Sequence, residues 1–218
     1  YLAFSAVLQL FIGPISDKFG RRPVILWGLT LFMLATLGCI LSTNIQTFLA
    51  FRLAQAVIAT SMVLSRAVIR DLYDSEKSAS MIGYVTMGMS IAPMVGPAIG
   101  GFLEEYFGWT AGFWMLALVA FIAFLITWSD LGETKARSGK TLLAQFKEYP
   151  ELLPSTRFWG STFASAPSSG TFFAYLGGAP FVGSEVFGLD GKSLGLVINP
   201  PTGRNIQGNI RSGRPSTP

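Results

Sequence analysis

Charge is missing from long stretches of this chain and returns only in short bursts. Residues 1–16, 23–51 and 78–103 contain no Asp, Glu, Lys or Arg. A helix needs about 20 apolar residues to cross the hydrocarbon core of a bilayer. Lipid offers no hydrogen bonds, so a crossing segment has to satisfy its own backbone, as a helix does. The pattern therefore predicts an all-α integral membrane protein. Composition agrees, with 50% hydrophobic and 13% charged residues over 218 positions, where a soluble domain carries about 25% charged. The net charge of +4 sits in a few loops, so it reads as membrane topology and not as a nucleic-acid surface. Histidine is absent and Cys39 is the lone cysteine, which excludes a His/Cys metal centre or a disulfide framework in this sequence. Cys39 lies in an apolar run and reads as a packing residue.

The spans follow in order. Tyr1 to about Ser16 is the tail of one, and the chain reads as a fragment cut within it. Val24 to Ser42, Ile45 to Ile69, Ser78 to Leu103 and Trp109 to Trp128 are the next four, and Arg157 to Val182 is a Gly- and Ser-rich sixth. Between the last two, Leu142, Leu143, Phe146 and Leu153 are spaced for a short helix on the membrane surface, or sit in a plain solvated linker. Basic residues fix the orientation. Lys18, Arg21 and Arg22 lie in the first loop, Arg70 and Lys77 in the third, and Lys135, Arg137, Lys140, Lys147 and Arg157 in the long connection. The turns near residues 43 and 105 have none, and the one near 188 has only Lys192. The basic loops are thus cytoplasmic.

The first charged burst, Gly13-Pro14-Ile15-Ser16-Asp17-Lys18-Phe19-Gly20-Arg21-Arg22-Pro23, has the residues of a tight reversal. Gly13 permits close helix approach. Asp17 offers a carboxylate to backbone N–H groups or to a cation. Gly20 allows a backbone conformation closed to other residues. Arg21 and Arg22 are expected at headgroup level, and Pro23 suits a first helical turn. The pattern G-x-x-S-D-K-x-G-R-R resembles the loop signature between the second and third spans of the major facilitator superfamily. Ser65-Arg66-Ala67-Val68-Ile69-Arg70-Asp71-Leu72-Tyr73 resembles its bicyclomycin-resistance and chloramphenicol-efflux branch of drug:proton antiporters. The resemblance implies a truncated bundle holding the second to seventh or eighth of twelve spans. Residues 1–130 would be an N-terminal bundle lacking its first span, 131–156 a central cytoplasmic loop, and 157–198 the start of the C-terminal bundle. Residues 199–218 are an atypical tail with Pro200, Pro201, Pro215 and Pro218, expected to reflect a sequencing or reading-frame fault.

The same resemblance assigns roles. Asp17, Gly20, Arg21, Arg22 and Asp71 would form a cytoplasmic gate, against the plainer reading of an exposed ion pair. Arg52 lies seven residues inside its span, roughly 10 Å deep at 1.5 Å per residue. An arginine there costs about 2.5–3.5 kcal/mol on insertion scales and marks function. It resembles the fourth-span arginine linked to proton movement, the other reading being a structural charge facing the bundle interior. Gly88, Ala92, Gly96 and Gly100 recur every four residues on one helix face, suited to backbone-to-backbone packing. Pro93 and Pro97 interrupt that helix's hydrogen bonds and are expected to bend it. Ala92 to Gly101 resembles the antiporter motif of the fifth span, which belongs to exporters. Gln55, Met62, Met87 and Tyr175 are candidate substrate-cavity residues, although methionine at helical spacing is also ordinary packing.

No Asp or Glu lies inside any expected span, so the carboxylate that proton exchange requires is not identified. No nucleophile–base pair, metal motif or phosphate loop appears, so the chain reads as a carrier and not an enzyme, with no cofactor. The resemblance implies proton-coupled efflux of drug-like or small metabolite substrates by alternating access, the fragment alone being inactive. Its partners would be a small-molecule substrate, protons and the lipid bilayer, with no nucleic acid, and the complete protein would be a monomer of the bacterial inner membrane. A facilitator for metabolite uptake and a non-transporting membrane sensor are the alternatives.

Overall fold

A computed structural model describes residues 2–134 and 154–188. The surface helix expected around Leu142 to Leu153, the turn at Lys192 and the proline-rich tail lie outside the described residues. All regular structure among the described residues is helical: α1 Leu2–Phe19, α2 Arg21–Leu41, α3 Ile45–Ala54, a 3-10 turn Gln55–Ile58, α4 Ala59–Leu72, α5 Ser75–Phe107, α6 Thr110–Asp130 and α7 Thr156–Glu185. Each expected span is thus a helix. Four stretches among the described residues are long and apolar enough to cross a membrane: α2, the continuous α3–α4 rod of Ile45–Leu72, α5 and α6. At 21 residues, α2 is about 30 Å long at 1.5 Å per residue, which matches a hydrocarbon core. Pro93 and Pro97 lie inside α5, and the helix runs on through both.

The chain divides into two compact units. One takes in residues up to Ser78 and again from Phe107; the other takes in Ala79–Tyr106 and the later stretch that includes α7. In the first unit α2 is the centre. It packs along α6 on one side and along α3, the 3-10 turn and α4 on the other, with α1 against α4. Ile12 of α1, Ile25 and Leu29 of α2, and Leu64 and Val68 of α4 form a buried cluster, flanked by Ala123 and Phe124 of α6. Outside this cluster α6 shows Leu118, Val119, Phe121, Ile122, Leu125 and Ile126 on its surface. An apolar surface that continuous is untenable in water and matches hydrocarbon.

The α3–α4 rod tightens where it meets α2. None of the α3 residues is buried, whereas Gln55, Ala56, Ala59 and Thr60 are. Thr60 Oγ1 donates to the Val57 carbonyl at 2.6 Å, a back-bond that competes with the α ladder and favours the narrower turn. Further up, Gly38 leaves room for the Phe51 ring, which a Cβ would strike.

Candidate functional site

Two polar clusters occupy opposite halves of the first unit. The first is built where α1 gives way to α2 across one residue. Gly20 has φ 100 and ψ 155, a region open essentially only to glycine. Its N–H closes on the Ser16 carbonyl at 2.9 Å, so α1 ends and α2 starts without a loop. The reversal turns Arg21 inward. Its side chain is 8% exposed, its Nη2 lies 3.1 Å from Asp17 Oδ1, and its Nε lies 3.0 Å from Asp71 Oδ2. Nη1 donates to Ser16 Oγ at 2.6 Å, and Ser16 Oγ donates to the Gly13 carbonyl at 2.8 Å. One guanidinium therefore ties the ends of α1, α2 and α4. Arg21 thus meets Asp17 and Asp71, the gate partners that the family resemblance gave it, and faces the protein where its place beside Arg22 suggested the headgroups. Arg22 is half-buried against α6, donating from Nη2 to the Trp128 carbonyl at 2.7 Å with its guanidinium over the Trp128 ring at 5.7 Å.

A third carboxylate belongs to this cluster and was not anticipated. Glu133 follows α6, and its Oε1 accepts the Arg21 backbone N–H at 2.7 Å. It caps α2, whose first N–H groups lack helical partners and whose dipole favours an anion there. The same carboxylate lies over Gly20, where a Cβ would collide with it. Nothing in Leu131-Gly132-Glu133-Thr134 marks this role; only the packing of α6 along α2 brings Glu133 112 positions back to Arg21.

The second cluster lies at mid-span. Gln55 is fully buried. Its Nε2 donates to Thr36 Oγ1 at 2.8 Å, and its Oε1 accepts from Arg52 Nη1 at 2.6 Å. Thr36, also fully buried, donates to the Phe32 carbonyl at 2.7 Å. The Arg52 guanidinium lies 5.7 Å from the centre of the Phe113 ring. Gln55 thus joins Arg52 to α2. Thr36 was overlooked although a hydroxyl within an apolar run is itself a signal in a membrane; Phe113 gave none.

The remaining candidates are not gathered here. Met62, on α4, is 44% exposed. Met87 is half-buried on α5, and Tyr175, on α7, is 37% exposed; both belong to the second unit. Gly88, Gly96 and Gly100 lie along α5, but a Cβ at any of them meets nothing within 4 Å, so the backbone-to-backbone packing their spacing suggested is not made at these glycines among the described residues. Ala92, Pro93, Pro97 and Gly101 lie along the same helix. No group of His, Cys, Asp and Glu among the described residues has a metal-binding arrangement.

Span-length helices wrapped in apolar side chains, an arginine hub at the end carrying the basic loop, and a polar chain at mid-span define a multi-pass membrane protein. The family model of the Major Facilitator Superfamily matches residues 1–214, and the chain belongs to that family. It is 31% identical over 182 residues to a chloramphenicol resistance protein of Pseudomonas aeruginosa, covering 83% of this chain and 43% of the relative. It is 29% identical over 194 residues to a bicyclomycin resistance protein homolog of Haemophilus influenzae, covering 87% and 49%. Against the multidrug transporter MdfA of Edwardsiella piscicida it is 30% identical over 217 residues, covering 98% and 53%. The chain spans about half the length of the curated relatives it matches. These relatives are bacterial, and the protein is a multi-pass component of the bacterial inner membrane.

Proposed function

We propose that the complete protein exports drug-like or small metabolite molecules across the inner membrane in exchange for protons, by alternating access. Residues 1–130 contribute to its N-terminal bundle, 131–156 to the cytoplasmic connection and 157–198 to the start of its C-terminal bundle. The substrate class rests on the names of the relatives. The observation that carries the mechanism is the Arg21 hub. A guanidinium only 8% exposed and held by two carboxylates is not an exposed pair of small value. Removing one partner of a buried pair costs about 3–5 kcal/mol, enough to bias a two-state gate.

In this reading Asp17, Arg21, Asp71 and Glu133 latch the cytoplasmic ends of α1, α2, α4 and α6 in one state, and the latch opens in the other. Gly20 sets the latch geometry and Arg22 anchors it to α6 through Trp128. Arg52, held through Gln55 to α2, serves proton coupling. The small-residue face of α5, with Gly88, Ala92, Gly96 and Gly100, is suited to receive a neighbouring helix in the complete protein and so to limit leak. Met62 of the first unit, and separately Met87 and Tyr175 of the second, are candidate substrate contacts. The test is drug flux in inverted membrane vesicles carrying the full-length protein. Collapse of the proton gradient should abolish accumulation; unchanged flux would favour a facilitator, and no flux a binding protein or sensor.

A further inference from the structure

We propose that a groove between the cytoplasmic ends of α1 and α2 binds an anionic phospholipid, with an acyl chain along the groove and the phosphate at Lys18. The groove follows from the loop-free reversal at Gly20. α2 packs along α6 and the α3–α4 rod, while α1 packs mainly against α4. A cleft therefore stays open between α1 and α2. Its walls are about one turn from each helix: Ile15 and Phe19 of α1, and Pro23, Val24 and Trp27 of α2.

The volume is about 360 Å³, and no charged side chain lines it. Phe19 is 51% exposed and Trp27 67%. On helices of span length, an apolar surface of this kind meets acyl chains and not water. Pro23 separates the groove from a second hollow of about 330 Å³, lined also by Arg22, Leu26 and Glu133.

The charges around the groove select the headgroup. Lys18 is exposed, and its Nζ lies 5.3 Å from the centre of the Phe19 ring, so the ammonium stands beside one wall. The neighbouring carboxylates are directed into the hub: Asp17 Oδ1 lies 3.1 Å from Arg21 Nη2, and Glu133 accepts the Arg21 N–H at 2.7 Å. Arg22 adds a second cation on the far side of Pro23. The basic loops put this end at the cytoplasmic headgroups, where lysine attracts anionic lipid. An apolar slot with a cation at its end fits an amphiphile with a long apolar arm and a negative head. A lipid phosphate meets Lys18 at headgroup level without burying its charge. Binding here needs only the membrane placement of these helices and is independent of what the protein transports.

The test places the full-length protein in phosphatidylcholine bilayers and titrates in phosphatidylglycerol with brominated acyl chains, which quench a tryptophan on contact. The Trp27 signal is the difference between the wild type and Trp27→Phe. Brominated phosphatidylglycerol should quench it at a mole fraction about fivefold lower than brominated phosphatidylcholine, the preference that one lysine confers. Lys18→Gln should abolish the preference while both lipids still quench Trp27, and Lys18→Arg should keep it. Inorganic phosphate at matched ionic strength should leave the preference unchanged, because it lacks the apolar arm. Three results would overturn the assignment. Quenching by neither lipid would mean that the groove is covered by protein, from the rest of the chain or a second copy. Equal quenching by the two lipids, or a preference that survives Lys18→Gln, would remove the headgroup from the site. Loss of the preference in inorganic phosphate would make the free anion, and not a lipid, the ligand.

Discussion

Gly20→Ala is the sharpest test of the hub, because two independent costs meet at one atom. At φ 100 and ψ 155 a residue with a Cβ is strained by about 1–3 kcal/mol. The added carbon also runs into the Glu133 carboxylate, which accepts the Arg21 N–H at 2.7 Å. Displacing that carboxylate forfeits a hydrogen bond to a charged group, about 1.5–3 kcal/mol. Together the two amount to about 3–6 kcal/mol, a melting drop on the order of ten degrees. The assay is thermal melting of the full-length protein in detergent, with Gly20→Ala, Glu133→Ala and their combination. Once Glu133 is trimmed, only the backbone cost remains, so Gly20→Ala should then cost about 1–3 kcal/mol. Gly13→Ala is the control: it is helical, and its Cβ would meet nothing within 4 Å, so melting should hold or rise. Wild-type melting of Gly20→Ala would refute the geometry, and an equal cost in both backgrounds would remove Glu133 from the hub.

Asp17→Asn should abolish export while the protein still reaches the membrane at normal levels; normal drug export by this variant would eliminate the latch. Arg21→Ala leaves Asp17 and Asp71 facing each other without their shared cation and should destabilise by about 3–5 kcal/mol, read as a lower melting midpoint. Gln55→Ala removes both bonds that tie Arg52 to Thr36 and should cost about 1–3 kcal/mol in the same assay. Cys39 is fully buried, so a membrane-impermeant thiol reagent should leave the folded protein unlabelled. A cysteine introduced at Lys18 should react from the cytoplasmic side alone, and labelling from outside would reverse the topology.

What the sequence determined was the solvent and the placing of the helices along the chain. Charge-free runs of span length are legible because lipid penalises each unpaired polar group, a penalty that acts along the chain and needs no knowledge of neighbours. The bend at Gly20 was legible for a similar reason, since its backbone conformation is a local property. The meeting of Asp71 with Arg21 could be inferred only through the family resemblance. Tertiary structure alone decided that Glu133 returns from the end of α6 to cap α2, that Gln55 bridges Arg52 and Thr36, and that Phe113 stands over the guanidinium. Each depends on which faces of two helices touch, and periodicity in an all-apolar run does not reveal that. Where almost every face is hydrophobic, the rotation of a helix is set by close packing and a few polar contacts, and those exist only once the helices have come together.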